Sequence, residues 1–181
     1  MKQFSSETPG QEALRDGREL RKKISRSSHA IWNASMRQSD PLTVLMATSK
    51  NRLPHLLPLR YGRMSQSPFA YMRGAPAMMA ADLAATPVTG ILVQACGDCH
   101  LGNFGAFASP ERRLLFDIND FDETLSAPWE YDLKRLATSF TLVARVHRCC
   151  RDVEREVTMT VVRSYRKHLH EFAAMSPLAR A

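Results

Sequence analysis

The stretch Gly97-Asp98-Cys99-His100-Leu101-Gly102-Asn103-Phe104-Gly105 decides how the rest of this chain is read. Its three glycines let the backbone turn closely, and Asp98, His100 and Asn103 stand between them. In front lies Ile91-Leu92-Val93-Gln94-Ala95, a short apolar run that reads as a buried strand. Behind it, Phe104 to Phe107 and Arg113 to Phe116 read as short strands around the turn Ser109-Pro110-Glu111-Arg112. An acidic loop follows from Asp117 to Ser126, and Pro128-Trp129 leads into a helix from about Glu130 to Val146. The order is thus strand, polar loop, hairpin, second group of carboxylates, helix.

Working outward, residues 11–26 read as a charged helix with Leu14, Leu20 and Ile24 on one side. Asp40-Pro41 is a helix start, with Asp as the cap and Pro in the first turn, and the helix continues to about Ser49. Pro54 and Pro58 break regularity. Leu59 to Met64 and Phe69 to Arg73 read as strands around Ser65-Gln66-Ser67-Pro68, a candidate hairpin. Ala75 to Ala85 reads as a buried helix. A last amphipathic helix runs from about Asp152 to Met175, with Val153, Val157, Val161, Tyr165 and Leu169 at four-residue steps. Helices and strands mix without strict alternation, so the expected class is α+β rather than a doubly wound sheet.

The 181 residues suffice for one domain with a core, and 44% hydrophobic with 24% charged residues is ordinary globular usage. Collagen, coiled coil and wholesale disorder are excluded. No run reaches the roughly 18 apolar residues of a membrane span, and Met1 to Pro9 has no apolar leader core. The expectation is a cytoplasmic protein without a membrane partner. The net charge of +7 is unevenly spread. Residues 114–133 hold no Lys or Arg but contain Asp117, Asp120, Asp122, Glu123, Glu130 and Asp132. Such a cluster is solvated, pairs with the basic part of the chain, or holds a cation. No basic-aromatic interleaving is present, which disfavours a nucleic-acid partner. Cys96 and Cys99 form a Cys-x-x-Cys, and Cys149 and Cys150 are adjacent. A zinc or redox site is one alternative; buried apolar cysteines are the simpler reading.

Asp98 and Asn103 stand five apart, the Asp-x-x-x-x-Asn spacing of a protein-kinase catalytic loop. Phosphoryl transfer is mostly positioning and charge neutralisation, and Mg²⁺ prefers oxygen ligands. Asn103 offers a neutral oxygen and Asp120, in Asp120-Phe121 after the hairpin, a charged one. Asp98 could accept the proton of an attacking hydroxyl.

The chain resembles the bacterial DUF2252 family, a distant relative of the protein-kinase-like fold, from about His29 to Ser139. The resembling blocks are His29-Ala30-Ile31-Trp32, Arg37-Gln38-Ser39-Asp40-Pro41, Leu59-Arg60-Tyr61-Gly62-Arg63-Met64 and Ser67-Pro68-Phe69-Ala70-Tyr71-Met72-Arg73-Gly74. They continue with the loop already quoted, Phe116-Asp117-Ile118-Asn119-Asp120-Phe121-Asp122-Glu123-Thr124, and Trp129-Glu130-Tyr131-Asp132-Leu133-Lys134-Arg135-Leu136. The latter half is also similar to aminoglycoside and choline kinases. The resemblance implies a partial kinase-like fold over residues 29–181, preceded by a helical extension over 1–28, with short antiparallel strands and a C-terminal helix pair. It implies Asp98 as the catalytic-loop aspartate, and Asn103 and Asp120 as ligands of Mg²⁺, with Asp117 competing for the second place. Arg73 is the first candidate for contacting the phosphates of ATP, with Arg60 and Arg63 behind it. His100 would shape the loop within the cofactor site, and Asp132 would brace the loop backbone. The family is longer at its C-terminus, so the expectation is a truncated chain that lacks a further C-terminal segment. The function implied is phosphotransfer from ATP to an unknown acceptor. The alternatives are a catalytically inactive fragment or binding module, and a cysteine-based metal or redox protein.

Overall fold

The computed structural model describes residues 9–176. Helix α1 (Pro9–Lys23) carries Arg21, Lys22 and Lys23 in its last turn, and its Leu14 stays exposed. Two short 3₁₀ turns, Arg26–Ala30 and Ala34–Met36, lead to α2 (Pro41–Ser49). Asp40 caps α2 by accepting the Thr43 N–H at 2.8 Å. Helices α3 (Leu57–Met64), α4 (Pro68–Gly74) and α5 (Pro76–Leu83) follow.

Two of these helices correct the sequence reading. The stretches 59–64 and 69–73, expected as a strand hairpin, are α3 and α4. The reason is positional: Pro58 and Pro68 sit in the first turns, where a missing N–H costs nothing and the fixed φ is already helical. Ser67 completes the signal by accepting the Ala70 N–H at 3.0 Å. Proline here starts helices, and Pro41 and Pro76 do the same.

Two antiparallel sheets of two strands each follow, giving with the helices an α+β architecture. Strand β1 (Leu92–Ala95) pairs with β4 (Leu125–Pro128), which takes the end of the expected acidic loop and the approach to the following helix. Strand β1 is exposed except at Ala95, and not the buried strand expected. Strands β2 (Phe104–Ala108) and β3 (Leu114–Ile118) form the expected hairpin, with Phe104 opposite Ile118 and Gly105 opposite Asp117. The chain ends in the expected helix pair, α6 (Glu130–Val146) and α7 (Arg151–Ala174). Trp129, just ahead of α6, stacks on Tyr165 of α7 with rings 6.0 Å apart and nearly parallel. A small core forms around Met64, Ala75 and Met78, with Val44, Leu45 and Tyr61 packed on it. No helix among the described residues is long and apolar enough to cross a membrane.

Candidate functional site

One stripe of α6 holds the loop 96–103. Asp132, Arg135 and Ser139 lie three and four residues apart, so they share a face. Asp132 accepts the Cys96 N–H at 2.7 Å and the Gly97 N–H at 3.1 Å. Arg135 donates Nε–H to Asp98 Oδ1 at 2.7 Å, and its Nη2 lies 2.5 Å from the same oxygen. Ser139 Oγ accepts the Leu101 N–H at 3.0 Å. Arg135 is 2% exposed and Ser139 fully buried, so these bonds are made out of water. The brace implied for Asp132 is therefore what its side chain does. Arg135 was given no role by the sequence, although its spacing from Asp132 marks the shared face.

The loop is closed from inside. Asn103 is buried, and its Nδ2–H donates to the Asp98 carbonyl at 2.9 Å. Its Oδ1 takes up no hydrogen bond among the described residues. The Asn103 carbonyl accepts the Asn119 N–H at 2.9 Å, which seats the turn after β3 beside the loop. Cys96 Sγ lies 3.6 Å from the Asp120 carbonyl and fixes the same turn from the other side. Asp98 and Asn103 are thus brought together, with the segment 117–120 next to them. Asp120 is exposed and its Oδ1 accepts the Asp122 N–H at 3.3 Å. Asp117 is exposed and turned to its own neighbour, accepting the Ile118 N–H at 2.7 Å.

The cation candidates separate. Arg73 is exposed in the last turn of α4, with its Nε at the Gly102 side of the loop and no ion pair among the described residues. Arg60 is half-buried and structural: its Nη2 donates to the Gly74 carbonyl, and burial pushes its pKa down. Arg63 is exposed at the end of α3.

His100 is 2% exposed and lies inside the loop. Its Nδ1 accepts the Gly102 N–H at 3.0 Å, its Nε2 lies 3.6 Å from Asp98 Oδ2, and Phe69 packs edge-on at 6.0 Å. Burial lowers its pKa, which outweighs the opposite pull of Asp98; Arg135 and Arg73 push the same way as burial. The unfolded chain therefore binds this proton more readily than the folded one, so His100 adds stability above the ordinary histidine range. That stability is lost as pH falls through the unfolded value near 6.5 toward the lower folded value. Melting temperatures at pH 7.5 and 5.5 are expected to differ more in the wild type than in His100→Asn, which keeps an acceptor for Gly102. An equal drop in both would assign the acid sensitivity to other groups.

Cys96 and Cys99 are buried, and burial raises both thiols, Cys99 to about 12. Both stay protonated near neutral pH, which makes them poor nucleophiles. Among the described residues no three His, Cys, Asp or Glu side chains group to hold a metal ion, so Cys149 does not complete a zinc set with them.

No curated protein and no solved structure matches the chain. One family model does, over residues 52–181. The match contains α3 to α7, both sheets and every residue of the braced loop, and begins after the blocks at His29 and Arg37. The chain belongs to DUF2252, a family of uncharacterized proteins conserved in bacteria.

Proposed function

We propose that the loop 96–103 and the turn after β3 form the metal-nucleotide site of a kinase-like phosphotransferase acting from ATP on a hydroxyl acceptor. The observation that carries this reading is the closed loop. Asn103 spends its amide N–H on the Asp98 carbonyl and keeps Oδ1 unbonded, while its own carbonyl ties in the segment that ends at Asp120. The donor set fits a hard divalent cation, because it offers an amide oxygen and a carboxylate with no Lys or Arg between 114 and 133. Asn103 and Asp120 would hold Mg²⁺, with Asp117, opposite Gly105 in the hairpin, as the competing second ligand. Bound Mg²⁺ supplies the divalent charge that neutralises phosphate oxygens. Arg73 is free to meet a phosphate at the Gly102 side. Asp98 Oδ2, the oxygen that Arg135 does not bond, would take the proton of the acceptor hydroxyl.

The same Arg135 contact supports a second reading. A buried guanidinium occupies one oxygen of the Asp98 carboxylate and holds it as a strut of the loop, a structural role that needs no proton transfer. A nucleotide-binding module without catalysis would tolerate that. Thermal unfolding with and without ATP and Mg²⁺ tests the shared site. At about 100 times its dissociation constant, ligand adds roughly 2.7 kcal/mol, which for this chain length is a rise of about 5–11 °C. The rise is expected to need Mg²⁺ and to vanish in Asp120→Asn. No rise in the wild type would sink both readings. A rise without phosphate release or transfer would leave the binding module.

A further inference from the structure

A cavity of about 1100 Å³ opens between α4, α5, α6 and the segment from His29 to Pro41. Asp98, Asn103 and Asp120 do not line it. Its volume is at the upper end for a small-molecule site. The floor is apolar and deformable, built from the buried Met64, Met72, Met78 and Leu83. Lys134 and His29 are among the residues that line it. Lys134 Nζ donates to Thr86 Oγ1 at 2.9 Å and has no carboxylate within ion-pair distance among the described residues. The acid one turn before it, Glu130, spends Oε1 on the Thr89 N–H and hydroxyl, both at 2.7 Å, and attracts Lys134 only from beyond ion-pair distance. His29 Nδ1 is buried with no hydrogen-bond partner. The other charges of the lining cancel, because Arg37 and Asp82 form a pair at 2.6 Å.

A half-buried ammonium without a counterion in contact is unfavourable, and burial pulls the Lys134 amine below its ordinary value against the opposite pull of Glu130. An anion beside it would reverse that. A single ammonium is a point charge without the bidentate fork of an Arg, and it matches a single negative charge. The apolar floor calls for a hydrocarbon body. We infer that this cavity binds an amphipathic monocarboxylate, with its alkyl chain over the methionine floor and its carboxylate on Lys134. This site stands apart from the nucleotide site and does not depend on it.

Calorimetric titration of the full chain with decanoate and with decanol tests the inference. Decanoate is expected to bind at one per chain, about tenfold or more tighter than decanol, since a hydrogen bond to a charged partner carries that difference. Lys134→Met is expected to bring decanoate down to the level of decanol, and Lys134→Arg to retain most of the preference. Equal binding of the two probes by the wild type, or no binding of decanoate, overturns the inference. So does unchanged decanoate binding in a folded Lys134→Met. If that variant does not fold, the wild-type comparison alone decides.

Discussion

Arg135→Met is expected to lower the melting temperature by roughly 6–12 °C. The side chain is 2% exposed, and its guanidinium meets the Asp98 carboxylate, the Met72 carbonyl at 2.7 Å and the Met79 sulfur at 3.7 Å. Methionine keeps the apolar stem and removes the charge. It leaves a carboxylate whose side chain is 15% exposed, and a Met72 carbonyl on α4 with only the Ala75 N–H at 3.3 Å. Removing one partner of a buried ion pair costs about 3–5 kcal/mol. The low end applies, because water can reach part of Asp98. About 3 kcal/mol converts to roughly 6–12 °C for a chain of this size.

A double-mutant cycle separates the pair from the packing. Asp98→Asn alone leaves Arg135 as an unpaired buried cation, so it is also expected to destabilise. The two changes together remove both charges, and the double variant is expected to be more stable than the sum of the singles predicts. Additivity within about 0.5 kcal/mol would show that Arg135 and Asp98 do not act on each other. The cycle also bears on the proposed chemistry. If Arg135 only holds the loop, Mg²⁺-ATP should still bind to whatever fraction of Arg135→Met is folded.

Much of this arrangement was legible in the sequence where local signals were strong. Asp40-Pro41, the β2–β3 turn and the long amphipathic α7 follow cap, turn and periodicity rules, and they stand where those rules put them. The loop residues Asp98 and Asn103 were legible from spacing, and their contact confirms that they share one turn. The misread segments had competing signals. Arg60, Tyr61 and Phe69 suit a strand as well as a helix, and the decision was made by Pro58 and Pro68, whose meaning depends on whether they end one element or start the next. Strand β4 was hidden because Leu125-Ser126-Ala127-Pro128 has no periodicity of its own; it exists through pairing with β1 more than thirty residues earlier. The role of Arg135 was hidden for the same reason. A charge on a helix is ordinarily solvated, and only the tertiary contact with Asp98 makes it a buried strut.

Gly97→Ala is expected to cost about 2–5 kcal/mol and to abolish the Mg²⁺-ATP response, even though alanine adds one methyl group. Gly97 has φ of +79°, the left-handed region, where a residue with a Cβ loses about 1–2 kcal/mol. A Cβ there would also run into the backbone carbonyl of Glu123 and touch Leu125 Cδ2. A side chain could rotate away, but a carbonyl moves only with its loop. That forced shift costs a further 1–3 kcal/mol or so. Gly90 supplies the internal control: its φ is +84°, yet nothing lies within 4 Å of where its Cβ would be. Gly90→Ala should therefore show the backbone strain alone, and the difference between the two variants is the collision. The collision matters because of what it separates. Gly97 is tied to Asp132 through its N–H, and Glu123 follows Asp120 by three residues. Only a glycine at this position lets the braced loop and the acidic turn approach this closely, and the proposed sharing of one cation by Asn103 and Asp120 requires that approach. Equal melting temperatures for the two variants, or a full Mg²⁺-ATP response in folded Gly97→Ala, would show that this close approach is not what builds the site.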